Sequence, residues 1–178
     1  TKIAVNNLKK EGRRKGVYLT GDVMYDSIKR CRHVIDKAGL SEPAGSRVLC
    51  TIHRAENTDN PVRLRQIFAA LANLEKGVLI PLHPRTAGCL KKYRIKVSEN
   101  IKLIKPVGYI EMLKLEKNAP VIITDSGGVQ KEAFIFGVPC VTLRNETEWV
   151  ETANSGMNLL VGASGKKLVK AVEKVSAG

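Results

Sequence analysis

Residues 121–149 read VIITDSGGVQKEAFIFGVPCVTLRNETEW, and this stretch restricts the fold more than any other. Its apolar opening, residues 121–124, has strand character. Asp125-Ser126-Gly127-Gly128 then makes a tight turn. Residues 129–136 form a helical segment, Gly137 suits its C-terminal cap, and the apolar run 138–143 is a second strand. Strand, glycine turn, helix and strand make a βαβ unit, with the turn at the carboxyl end of the first strand. There the first helical N–H groups lack intrahelical partners, the helix dipole favours negative charge, and glycine lets a ligand approach the backbone. Ser126 adds a hydroxyl suited to capping the helix or to binding a phosphate oxygen. The residues alone also fit a turn that binds nothing, because SGG is far less specific than a Walker motif.

The rest of the chain repeats the alternation. Residues 1–15 are polar and basic, an incomplete start for a domain, and residues 16–20 (GVYLT) have strand character. Residues 23–38 carry apolar side chains near a 3.6-residue period and form a helix that Gly39 ends. Residues 41–46 (SEPAGS) are a linker. A core strand at 47–52 leads into a polar loop, residues 53–60 (HRAENTDN), and Asn60-Pro61 starts the next helix as N-cap and first helical residue. Strands follow at 77–82, 101–104, 120–124, 139–143 and 159–161, with helices at 85–94, 109–117 and 164–175. Six strands alternating with helices give an α/β, doubly wound parallel sheet. With strand order 3-2-1-4-5-6, strands one and four are neighbours at the switch point, where ligands bind. HRAEN and DSGG then face each other, bringing His53, Arg54 and Glu56 close to Ser126, Gly127 and Gly128.

Composition narrows the function. No apolar run approaches the roughly 20 residues of a membrane span, and residues 1–15 lack the apolar core of a signal peptide. The net charge of +13 raises the possibility of a nucleic-acid binder. The bases are dispersed over residues 9–15, 91–96 and 166–174, however, and aromatics make up only 4%. Solvated basic faces are the better reading, and no nucleic-acid partner is expected. The four cysteines form no CxxC pair, which suits reduced thiols in a cytoplasmic protein. No HExxH or paired Cys/His spacing suggests a metal, and no GxGxxG suggests a dinucleotide.

At the crevice, His53 is placed to donate a proton or a hydrogen bond to a phosphate oxygen. Arg54 fits a phosphate clamp or a surface base, and Glu56 and Asn57 fit loop-shaping roles. His83 holds the same position after strand two, one strand farther from the switch point. Glu132, in the first turns after SGG, fits a ribose acceptor or a carboxylate compensating the helix dipole. Arg144 ends strand five and fits a partner for a diphosphate, or for Glu146 or Glu148.

TIHRAEN (residues 51–57), PLHPRT (81–86), DSGGVQKEA (125–133), GVPCVTLRNETEW (137–149) and GMNLLVG (156–162) together resemble the non-hydrolysing UDP-N-acetylglucosamine 2-epimerases. NNLKKEG and TGDVMYDS resemble that family's approach to its second domain. The resemblance implies one Rossmann-like half of a glycosyltransferase-B type fold. Residues 1–22 would be the tail of an N-terminal domain and hinge, and residues 23–178 a C-terminal UDP-binding domain. It implies a reaction without cofactor or metal. UDP is eliminated as the sugar loses its C2 proton, then added back with C2 reprotonated on the other face, by acid and base carboxylates mainly in the first domain. Residue by residue, it implies that His53 lies beside the departing diphosphate. Ser126, Gly127 and Gly128 would hold phosphate, Glu132 the ribose, and Arg144 would serve the same substrate site. Arg54 and His83 match positions that help hold an activating UDP-sugar in some members. A homodimer is implied for the full-length enzyme. Two departures concern the sugar: TEWVE (147–151) replaces the common TERPE, and Asp22 replaces the asparagine of TGN. TEWVE resembles relatives acting on UDP-2,3-diacetamido uronic acids, an alternative substrate class. A glycosyltransferase donor domain is the other enzymatic alternative.

Overall fold

A computed structural model describes residues 1–37 and 45–176. The helix stop at Gly39 and most of the linker expected at 41–46 lie outside the described residues. The elements in chain order are α1 (Lys2–Lys10), α2 (Val23–Lys37), β1 (Val48–Thr51), α3 (Ala55–Thr58), α4 (Pro61–Ala72), β2 (Val78–Pro81), α5 (Pro84–Lys92), β3 (Ile101–Ile104), α6 (Tyr109–Asn118), β4 (Ile122–Thr124), α7 (Gly127–Phe136), β5 (Cys140–Thr142), α8 (Val150–Asn154), β6 (Asn158–Leu160) and α9 (Gly165–Ser176).

The strands form one parallel sheet in the order β3-β2-β1-β4-β5-β6, as the alternation predicts. Leu49 pairs with Leu79 of β2 on one side and Ile122 of β4 on the other. Both faces are covered, so the central strands are buried throughout instead of alternating. One core layer packs α4 and α9 on the sheet through Leu64, Ile67, Leu71, Leu168 and Val172. The other layer, around Leu49, Leu79, Ile122 and Val138, lies under α6 and α7. There α2 adds Ile28 and Ile35 against Leu113.

Local signals set the ends of the helices. Asn60 Oδ1 accepts from the N–H groups of Val62 and Arg63, and Pro61 occupies the first turn. Gly137 closes α7 with φ 71°, a left-handed value that costs glycine nothing.

One expected strand is absent, and three helices go beyond the sequence reading, each for a physical cause. Residues 16–20 form no strand; Tyr18 and Leu19 are exposed, and β3 and β6 remain the sheet edges. Residues 1–15 contain α1, capped by the Thr1 hydroxyl, which accepts from the Ala4 N–H. The loop 53–60 contains α3, because tertiary bonds to Asn57 and Thr58 bury one short turn. The stretch after Trp149 winds into α8, held by Asn158 Nδ2, which donates to Thr152 Oγ1.

Candidate active site

The carboxyl ends of β1 and β4 lie side by side, with Thr51 and Thr124 hydrogen-bonded through their hydroxyls at 2.6 Å. Asp125 follows β4 and is fully buried. Its carboxylate accepts from the backbone N–H groups of His53 (3.0 and 3.1 Å) and Arg54 (3.0 Å), and from Asn57 Nδ2 (3.0 Å). Asn57 Nδ2 also donates to the Leu143 carbonyl at 3.1 Å, tying the loop after β1 to the end of β5. Asp125 and Asn57 are thus the fasteners that hold HRAEN against DSGG. Asp125 was readable as an acid ending a buried strand, yet its partners are distant in sequence, so nothing local reveals its role.

His53 projects from this loop with its ring Nδ1 3.8 Å from Asp125 Oδ1 and its side chain 37% exposed. The ring of His83 lies 5.3 Å from it, centroid to centroid. His83, expected farther from the switch point, therefore stands beside His53, while its Nδ1 caps α5 by accepting from the Arg85 N–H at 3.1 Å. Arg85 reaches back to Thr58 and Asp59, fastening α5 to the same loop.

Across the crevice, Ser126 is the N-cap of α7: its Oγ accepts from the Val129 N–H at 3.5 Å, while its own N–H donates to Thr124 Oγ1 at 2.9 Å. Gly127 and Gly128 open the helix. A side chain at Gly127 would run into the Glu148 carboxylate, whereas Gly128 has only ordinary contacts around it. Glu148 is held by Arg144 Nη1 at 2.6 Å and faces Arg54 Nη2 at 3.6 Å. Partial burial pushes its carboxyl up, but a bond from its own backbone N–H and the Arg144 and Arg54 guanidinium groups hold it below the usual range. Of the two carboxylate partners offered to Arg144 by the sequence, Glu148 is the one taken. Glu148 was missed as a site residue because only the return of the chain after β5 brings it over the turn. That return is fixed by Thr147 Oγ1, which donates to Gln130 Oε1 of α7 at 2.6 Å.

Trp149 and Lys131 stand at the same mouth. Lys131 Nζ lies 4.1 Å from the Trp149 ring centroid and is ion-paired with Asp22. Trp149 Nε1 is buried without a hydrogen-bond partner. Glu132 lies farther down α7, turned towards α6, and is 6% exposed. Its surroundings include Tyr109 and Glu116, which the sequence reading passed over.

The structure thus brings His53, Arg54, His83, Ser126, Gly127, Gly128 and Arg144 to one crevice, with Glu132 on the flank of the helix that borders it. An N-terminal helix turn with cations opposite is a place for a phosphate or diphosphate. Among the described residues no group of three His, Cys, Asp or Glu side chains is placed to hold a metal ion. Burial pushes the thiols of Cys50 and Cys140 up, the latter to about 12, so neither is a ready nucleophile.

A doubly wound parallel sheet with this glycine turn at its switch point defines a Rossmann-like half of the glycosyltransferase-B type. The sequence profile of the UDP-N-acetylglucosamine 2-epimerases matches residues 1–178, and the chain belongs to that family. A UDP-N-acetylglucosamine 2-epimerase homolog of Methanococcus maripaludis is 47% identical over 98% of the chain and 52% of its own length. The UDP-2,3-diacetamido-2,3-dideoxy-D-glucuronate 2-epimerase of Pseudomonas aeruginosa is 46% identical over 96% of the chain and 49% of its own length. Among solved structures, the Methanocaldococcus jannaschii UDP-GlcNAc 2-epimerase, in complex with UDP-GlcNAc and UDP, superposes with a TM-score of 0.92. It is 41% identical, and the match covers 100% of this chain and 53% of that one. The chain spans about half the length of the curated relatives it matches.

Proposed function

We propose that this chain is the UDP-binding half of a UDP-N-acetylglucosamine 2-epimerase. The observation that carries the reading is the convergence of the α7 N-terminus with His53, Arg54 and Arg144 at the switch point. The diphosphate is held by the Ser126 hydroxyl, the Gly127 and Gly128 N–H groups and Arg144. Glu132 accepts from the ribose hydroxyls. His53 lies beside the phosphate oxygen on which charge develops as the C1–O bond breaks, and donates to it. When the C2 proton leaves for a base, the electron pair forms the C1–C2 double bond of the glucal and UDP departs with the pair of the C1–O bond. Re-addition of UDP to C1, with protonation of C2 from the opposite face, completes the inversion. The base and the opposite acid belong to an N-terminal domain, whose tail and hinge are residues 1–22. Arg54 and His83, both at the crevice, also serve a second, activating UDP-sugar. The full-length enzyme is read as a cytoplasmic homodimer; the four free cysteines fit a reducing compartment.

A second sugar is favoured by one feature. Lys131 and the unpartnered Trp149 Nε1 beside the turn offer a cation and a donor suited to a carboxylate on the sugar. That feature supports a UDP-2,3-diacetamido uronate as substrate. The test is C2 proton exchange in D₂O, followed by NMR, with each sugar nucleotide. The chain is assayed alone and after addition of an N-terminal domain from a relative. Exchange only on mixing, lost in His53→Ala, supports the division of labour; exchange by the chain alone refutes it. The sugar exchanged faster identifies the substrate class.

A further inference from the structure

Gln130 of α7 is fully buried, yet its amide Nε2 has no hydrogen-bond partner. An unmet buried donor costs stability, so stability alone does not explain an amide here. Its Oε1 accepts from the Thr147 hydroxyl at 2.6 Å and from Asn158 Nδ2 at 3.1 Å. Asn158 is oriented by Thr142, whose hydroxyl donates to Asn158 Oδ1 at 2.6 Å, and its Nδ2 also reaches Thr152 Oγ1 at 3.0 Å. The Thr152 hydroxyl donates to the Trp149 carbonyl at 2.7 Å, and the Trp149 N–H donates to Thr147 Oγ1 at 3.1 Å. Residue 148 is therefore pinned on both sides by a network anchored on α7, β5 and β6. What the network presents is the Glu148 carboxylate. It rests against Gly127, with Arg144 Nη1 at 2.6 Å and Arg54 Nη2 at 3.6 Å. A carboxylate beside a helix N-terminus, paired with two guanidinium groups, holds the cations that an anionic ligand would draw on.

We propose that Gln130 is a positioning residue of the diphosphate site. From the interior it holds the 147–149 arm, so that Glu148 stays on Arg144 and Arg54, and an entering diphosphate takes those cations from a resident carboxylate. The inference rests on reading the turn as the diphosphate site. The tether sets the strength of the competition. Pinned at 147 and 149, the carboxylate samples few other positions, and its local concentration at the arginines is high. Released from Gln130, the same part-exposed carboxylate is shared with water, where an ion pair holds only weakly. Damage to the network therefore tightens the binding of a bare anion, the opposite of what loss of a purely structural contact does to a site. An amide suits the task, because Oε1 takes two donors at once and no charge enters the interior.

Calorimetry with pyrophosphate at low salt tests this on the parent chain, Gln130→Met, Thr147→Val, Thr147→Ser, Glu148→Gln and the double variant Thr147→Val/Glu148→Gln. Urea unfolding confirms that each is folded. Gln130→Met and Thr147→Val break the tether from its two ends, and each tightens pyrophosphate about threefold. Thr147→Ser keeps the hydroxyl and matches the parent. In the Glu148→Gln background Thr147→Val adds nothing, because no resident charge is left to release. Thr147 is only half-buried, so Thr147→Val decides the matter if Gln130→Met does not fold. Weaker or unchanged binding in Gln130→Met and Thr147→Val, with tightening in Glu148→Gln, overturns the positioning role and leaves the diphosphate site intact. Tightening by Thr147→Val that persists on top of Glu148→Gln overturns the route through Glu148. Pyrophosphate that binds neither the parent nor Glu148→Gln overturns the diphosphate reading and this inference with it.

Discussion

Replacing Asp125 removes the fastener of the crevice. Its carboxylate takes four hydrogen bonds from three donors, the His53 and Arg54 N–H groups and the Asn57 amide, at 3.0–3.1 Å. In Asp125→Ala those donors lose their acceptor at a fully buried position, and the alanine methyl offers none in its place. Hydrogen bonds to a buried carboxylate contribute about 1.5 kcal/mol each at the low end, so three stranded donors give a loss of about 4 kcal/mol. Single domains hold about 5–15 kcal/mol in total, so the variant remains folded but marginal. Asp125→Asn keeps one acceptor oxygen and turns an amide N–H towards the donors, a loss of about 2 kcal/mol. Urea unfolding followed through the fluorescence of Trp149, the single tryptophan, measures both. A loss under about 1 kcal/mol for Asp125→Ala, at an unchanged denaturant slope, would show that the loop after β1 is held by something else.

Two further outcomes follow from the same geometry. Glu148 lies over Gly127 and draws on Arg144 and Arg54, so Glu148→Gln frees those cations for a ligand and tightens pyrophosphate binding about threefold or more at low salt; equal or weaker binding means that Glu148 does not compete with the anion. Glu116 binds its proton more tightly folded than unfolded, so its contribution to stability is fully present below about pH 4.5 and is lost as pH rises towards about 10. In that window the parent loses about 1 kcal/mol per pH unit relative to Glu116→Gln, which has no proton to bind; parallel stability curves for the two proteins would contradict a buried acid at this position.

The sheet was legible because its information is local and repeated. Apolar runs at β1, β2, β4 and β5 alternate with amphipathic helices, and Asn60-Pro61 and Gly137 punctuate the ends. The position of the glycine turn then followed from strand order, which places β1 beside β4. The contacts that went unread act across long separations. Asp125 and Asn57 are 68 positions apart. Glu148 reaches the turn only because Thr147 is fixed to Gln130. Glu116 was recoverable in principle: it lies three residues after the buried Leu113, on the same side of α6. Its charge masked a position that the helical period assigns to the interior. The strand expected at 16–20 failed for the opposite reason, since its residues suit a strand but no ladder receives them.

The central claim is that the glycine turn and the loop after β1 together hold the diphosphate of UDP. Amide-resolved NMR of the isotopically labelled chain, titrated with UDP and separately with uridine, tests it most directly. With UDP, the amides of His53, Gly127, Gly128 and Val129 shift first and farthest, with a Kd on the order of 0.1–1 mM for half a site; uridine at the same concentrations leaves them in place. A separate cleft between α4 and α9, lined by Gln66, Asn73, Lys166 and Lys170, serves as the internal control. Shifts that cluster there, or equal responses to UDP and uridine at the turn, would contradict the account.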